Sequence, residues 1–282
     1  MALRINYNFE SVSAQRNLAG TQGSFFKAIE QLSSGLRINK AADDAAGLAV
    51  SEKLKNQVRG LNQAQRNAQD AISLLQTAEG ALNETHSILA RMRELAVQSA
   101  NDTLTTSDRL HVQAEVNQLL SEIDRITTAT QFNTTLLLDG NFAGPAKFHV
   151  GANFETGDFA NEIEVAISSA ATGVLGVDIL ATTTTITTQS GANSAISALD
   201  SAIENVSTSR GSIGAYQNRL QSTINSLGVA SENTGAANSR IRDADVAQAV
   251  SEMVRTQILQ QSSMAVLAQA NQAPQMALQL LK

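Results

Sequence analysis

One seam constrains this chain more than anything else in it. It runs Leu54, Val58, Leu61, Gln65, Ala68, Ile72, Leu75, Glu79, Leu82, His86, Leu89, Arg93, Ala96. The steps alternate four and three without a break, the 3.5-residue period of a helix face that lies lengthwise on other helices. The stretch Ser51–Asn101 holds Gly60 and Gly80 but no proline. Read as one helix of about 50 residues, it is ~75 Å long at ~1.5 Å per residue. A compact globule of this chain's length is only about 50 Å across. The expectation is therefore a rod.

Two further seams follow. Val112, Val116, Leu119, Ile123 and Ile126 sit on a helix expected to begin near Thr105, where Thr105 and Asp108 have capping-box spacing. Ile196, Leu199, Ile203, Val206, Arg210, Ile213, Gln217, Leu220, Ile224 and Leu227 form the third. None is self-sufficient, which argues for an intramolecular antiparallel bundle. Polar seam residues (Gln65, Arg93, Arg210, Gln217) weaken such a core but can fix its register. Composition agrees: aromatics are 4% and Trp is absent, whereas a globular enzyme core usually draws on more aromatic bulk.

The pattern changes at Asp139-Gly140. From there to Gly176 lie six of the 17 glycines, Phe142, Phe148, Phe154 and Phe159, and Pro145. Ile163, Val165 and Ile167 alternate with Glu162, Glu164 and Ala166, a half-buried strand pattern over 161–167. Lys147–Val150 reads as a weaker strand, and Thr182–Thr188 is β-prone. Both ends return to helical spacing: Ile5, Phe9 and Val12, then Phe26, Ile29 and Leu32, and at the other end Val246, Val250, Met253, Val254 and Ile258. These end helices are short of strong apolar residues, and Gly20 and Gly23 weaken the first. They should fold against each other or against copies of themselves. The fold class is thus mainly α: a long antiparallel helical bundle or coiled-coil rod with a small β-hairpin region and paired terminal helices.

Charge and chemistry narrow the function. A net charge of −6 offers no basic face for nucleic acid. The absence of cysteine excludes disulfides and thiolate chemistry. No apolar run approaches the ~20 residues that span a bilayer, so no membrane insertion is expected. The N-terminus lacks the apolar region and cleavage site of a signal peptide. His86, His111 and His149 lie in separate elements with no metal or triad spacing. Asp43-Asp44 is better read as a cap for a helix from Ala45 than as a metal site. Arg240, Arg242, Asp243 and Asp245 read as a helix boundary with local ion pairs. No catalytic residue, metal or cofactor is expected.

Two longer segments carry a resemblance. Leu32–Leu54 reads LSSGLRINKAADDAAGLAVSEKL and Ser239–Ala247 reads SRIRDADVA. These resemble the N- and C-terminal signatures of bacterial flagellins. Arg91–Asn101, RMRELAVQSAN, is similar to that family's first rod helix, and Gly151-Ala152-Asn153 before an alternating strand is similar to its β region. The resemblance implies a tube domain from 1–45 with 239–282, disordered in the monomer, and a rod domain from 46–140 with 191–238. It leaves 141–190 as a small β region in place of the outer domains. It implies a structural subunit without enzymatic activity that self-assembles into the motile filament. The resemblance also implies export through the flagellar secretion apparatus with a chaperone and no cleaved signal peptide, to a site outside the cell. The implied partners are copies of itself, the filament cap and hook-junction proteins; the rival reading is a hook–filament junction protein. The polymerisation interface would use the end-helix residues named above. Arg91, Leu95 and Glu115 match positions by which many flagellins engage the animal Toll-like flagellin receptor, an innate immune partner; Ala90 departs from the Gln common beside them. Leu95 lies just off the seam, so it is expected to be partly exposed beside Arg91.

Overall fold

The computed structural model describes residues 7–140, 146–153, 161–182 and 185–280. The fold is mainly α. In order, α1 spans Phe9–Ser34, α2 Ala45–Ser99 and α3 Thr106–Ala129. Then come β1 (Gln131–Phe132), β2 (Thr135–Leu136), β3 (Ala146–His149) and β4 (Glu162–Val165). Short helices α4 (Thr172–Leu175) and α5 (Ile179–Thr182) lead to α6 (Gln189–Arg242) and α7 (Val246–Leu280). No helix among the described residues is long and apolar enough to cross a membrane. The chain divides into two compact units, 1–56 with 233–282 and 57–232.

In the second unit α2 and α6 run antiparallel, because partners on α6 fall in number as those on α2 rise. Asn62 meets Ser231 at 2.8 Å, Glu79 meets Gln217 at 2.9 Å, and Arg93 meets Asp200 at 2.5 Å. The α2–α3 turn is closed by the expected capping box, in which Thr105 and Asp108 each bond the other's backbone amide. Arg109 donates to the Asn101 carbonyl across it.

The core follows all three seams; Ile72 and Ile224 are buried as expected, while most of the other alternate positions are turned by one residue. On α2 the buried stripe is Leu61, Ala64, Ala68, Ala71, Leu75, Ala78, Leu82, Thr85, Leu89, Met92, Ala96 and Ser99. Gln65, Glu79 and His86 are only half-buried and Arg93 is exposed. On α3 Gln113, Leu120 and Thr127 are buried where Val112, Leu119 and Ile126 were expected. On α6 Ala195 and Ala202 take the places of Ile196 and Ile203. Small inner residues let helix backbones approach closely, and the larger branched residues cover the flanks. A third row on α2, Leu74, Ala81, Ile88 and Leu95, also packs into the core.

Two small antiparallel hairpins complete this unit. β1 and β2 are joined by Asn133 (φ 48°) and Thr134 (φ 65°), the left-handed pair that suits a two-residue hairpin turn. β3 and β4 pair Ala146 with Val165 and His149 with Glu162. Ile163, Val165 and Ile167 face inward as the alternation requires, while Glu162 and Glu164 bind Lys147. Gly60 matters here: a Cβ on it would stand 3.1 Å from Ala152 of the following loop. The β-prone reading of Thr182–Thr188 is corrected. α5 ends at Thr182, and the described residues 185–188 form a turn into α6. The Ile186 backbone is bonded by side chains of α2 and α3, so it has no free groups to offer a strand partner.

Candidate assembly surface

In the first unit α1 and α7 pack along each other antiparallel. Asn8 caps α1 by accepting from the Ser11 amide at 3.0 Å and donates to the Ala270 carbonyl at 2.9 Å. At the other end Gly35, in the left-handed conformation at φ 71°, closes α1 onto the Gln31 carbonyl. The chain then turns, and Leu36 pairs as an antiparallel bridge with Asp243. The Arg37 amide donates to the Arg242 carbonyl at 2.7 Å and the Ala244 amide to the Gly35 carbonyl at 2.9 Å. The two segments resembling family signatures, some 200 positions apart, therefore meet and bond.

Their charged residues build this joint. Asp44 accepts from the Gly47 amide at 2.8 Å and caps α2, and Asp245 caps α7 through the Ala247 and Gln248 amides. Arg242 reaches Glu52 at 2.5 Å, a pairing across the joint rather than a local one. Asp43 meets Lys27 at 2.7 Å and accepts from the Asn39 and Lys40 amides. Lys27 first, then the Lys40 amide, lower its pKa from the ordinary 3.8 to about 2.

The side chains along this helical pair are distributed inside out. The buried positions of α1 are Ala14 and Ala28, and those of α7 include Ala249, Thr256 and Ala270. The large apolar residues point to solvent: Phe9 is 68% exposed, Phe26 67% and Ile258 61%. Val12, Ile29, Leu32, Val246, Val250 and Val254 are exposed too, and Met253 is half-buried. Ile5 lies outside the described residues. Leu259, Met264 and Val266 extend the exposed set beyond the residues that helical spacing singled out. A groove of about 600 Å³ runs between Phe9, Ala14, Val266 and Ala270.

The second unit carries the other expected patch. Arg91 on α2 binds Glu115 on α3 at 3.0 Å and Glu94 at 3.1 Å. Glu115 first, then Glu94, raise the guanidinium's pKa. Leu95 does not join them at the surface. It is 2% exposed, because α2 buries a third row besides its seam, and its expected partial exposure is corrected.

Paired helices with small residues inside and large apolar residues outside have the make-up of an association surface. The family model described as "Bacterial flagellin N-terminal helical region" matches residues 5–143, and "Bacterial flagellin C-terminal helical region" matches 196–281. The chain is 51% identical to a flagellin of Halalkalibacterium halodurans, the match covering 99% of both chains. It is 46% identical to the flagellar filament 33 kDa core protein of Treponema phagedenis, again over 99% of both. A solved putative flagellar hook-associated protein of Vibrio parahaemolyticus shares the fold at a TM-score of 0.58 and 15% identity, covering 71% of this chain and all of that one. The chain belongs to the bacterial flagellin family, the structural proteins of the flagellar filament.

Proposed function

We propose that this chain is a filament subunit whose first unit builds an inner tube with neighbouring copies and whose second unit folds by itself as the rod domain. The inside-out helical pair carries this reading. Large exposed apolar residues over both α1 and α7 form an extended apolar surface of the kind that marks association sites. Burying them between copies contributes roughly 1.5–3 kcal/mol per side chain. The same weakness of the lone pair suits a subunit that travels through the flagellar export apparatus unfolded, with a chaperone covering its apolar ends. It orders them only beneath the filament cap or against the hook-junction proteins. Full-length relatedness to filament proteins favours this role over that of a junction protein. Deleting residues 1–37 or 239–282 should leave a folded monomer that sediments as such. Filaments from either truncated form would overturn the assignment.

A second reading concerns the immune receptor. Arg91 and Glu115 are brought together from two helices on one exposed patch, with Leu95 beneath as packing support. We infer that the Arg91–Glu115 pair is the receptor contact and that subunit packing covers it in the filament. Arg91→Ala should then cost about 1–3 kcal/mol of receptor binding by monomer. A receptor reporter assay comparing monomer, filament and Arg91→Ala protein checks this; equal activity of variant and parent monomers removes Arg91 from the site.

A further inference from the structure

The α2 and α6 stripes repeat themselves every seven residues. On α6 the large inner positions are Leu199, Val206, Ile213, Leu220 and Leu227, and on α2 they include Leu75, Leu82 and Leu89. Sliding α6 by one heptad would keep large and small rows in phase over the middle of the pair, with Ala68, Met92, Ala96 and Tyr216 as the exceptions. Apolar packing alone therefore discriminates poorly between registers. The Arg93–Asp200 pair is exposed on both sides, and exposed pairs contribute little to such a choice.

Besides the half-buried Glu79–Gln217 bond on the seam itself, one more deeply buried polar group discriminates strongly. Gln113 on α3 is 7% exposed and both ends of its amide are used. Its Nε2 donates to the Leu180 carbonyl at 2.9 Å and to Asn117 Oδ1 at 2.8 Å. Its Oε1 accepts from the Ile186 amide at 2.8 Å. Ser99 Oγ, at the end of α2, donates to the Ile186 carbonyl. Ile186 is fully buried and lies three residues before the start of α6. Holding Ile186 therefore holds the origin from which α6 is counted. After a heptad slip these buried donors and acceptors would lose their partners, a loss that apolar stripes cannot offset.

We propose that Gln113, with Ser99 assisting, is the residue that sets the heptad register of α6 against α2. It acts by positioning the 180–186 segment. The chain has no cysteine, so introduced pairs report register cleanly. Asn62→Cys with Ser231→Cys reads the native register far from the change, and Gln69→Cys with Ser231→Cys reads a slip of one heptad. In the parent only the first pair should cross-link with a short thiol linker. In Gln113→Met protein the native cross-link should fall several-fold and the shifted one should appear. Leu120→Met, an apolar change on the same helix, should lower the melting temperature without shifting the pattern. Should Gln113→Met lose its helical signal, Ser99→Ala, which releases only the Ile186 carbonyl, decides in its place and should give a smaller shift of the same kind. Native cross-linking alone in the folded Gln113→Met protein, or in Ser99→Ala where that variant decides, overturns the proposal, as does an equal shift in Leu120→Met.

Discussion

The two pairs of long helical segments in this chain solve opposite problems with the same residues. In the second unit Leu75, Leu82, Leu89 and Met92 turn inward. In the first unit alanines turn inward and Phe9, Phe26 and Ile258 turn outward. A helix pair whose large residues are inside is a core; one whose large residues are outside is half of an interface. On the function proposed above, the difference means that stability is allotted to the subunit in one region and to the assembly in the other.

The comparison can be broken most sharply with matched truncations of large side chains. Leu89→Ala should destabilise the monomer by about 2–5 kcal/mol, as buried leucines do, and a urea melt reads it. Phe26→Ala should move that melt by no more than about 0.5 kcal/mol, since its ring is exposed. It should instead raise the critical concentration for polymerisation, by about tenfold for each ~1.4 kcal/mol of lost burial. A Phe26→Ala protein that melts early and polymerises normally would reverse the roles of the two units.

A smaller effect sharpens the account of the joint. Asp43 has a folded pKa of about 2 against an ordinary 3.8, so its pairing with Lys27 and two backbone amides is fully stabilising above about pH 4. That contribution is lost as pH falls through 2, where the folded carboxylate takes up its proton. Filaments of Asp43→Asn protein should melt below the parent at pH 5, and the gap should close as pH falls towards 2.5. A gap independent of pH would remove Asp43 from the joint.

Much of this was legible in the sequence, for reasons that can be assigned. The 3.5-residue period located α2, α3 and α6 because Leu75, Leu82, Leu89, Val116, Ile123 and Leu199 do lie inside. Ile72 and Ile224 apart, most of the other half of the seams was misplaced by one residue, because Ala64, Ala78, Ala195, Gln113 and Thr127 carry little or no apolar signal yet are buried. Burial there follows from how closely helices approach, which periodicity in large residues does not report. Leu95 was misjudged for a related reason: a helix flanked by several neighbours buries three rows, and a two-row seam predicts only two. The β1–β2 hairpin turns on Asn133-Thr134, a pair with only Asn as a left-handed signal. The end-helix apolar residues were legible as a periodic set but not as a surface, since helical spacing is the same whether they face a core or another copy. The structure supplies the direction in which they face.

The direct test of that direction is amide hydrogen exchange on monomer and filament, read at Leu82, Val12 and Val250. Leu82 should be protected in both states, because its surroundings are complete within one subunit. Val12 and Val250 should exchange freely in the monomer and become protected only in the filament, where neighbouring copies cover the outward residues. Slow exchange at Val12 or Val250 in the monomer would show that the helical pair is stable alone, and would contradict the claim that its fold belongs to the assembly.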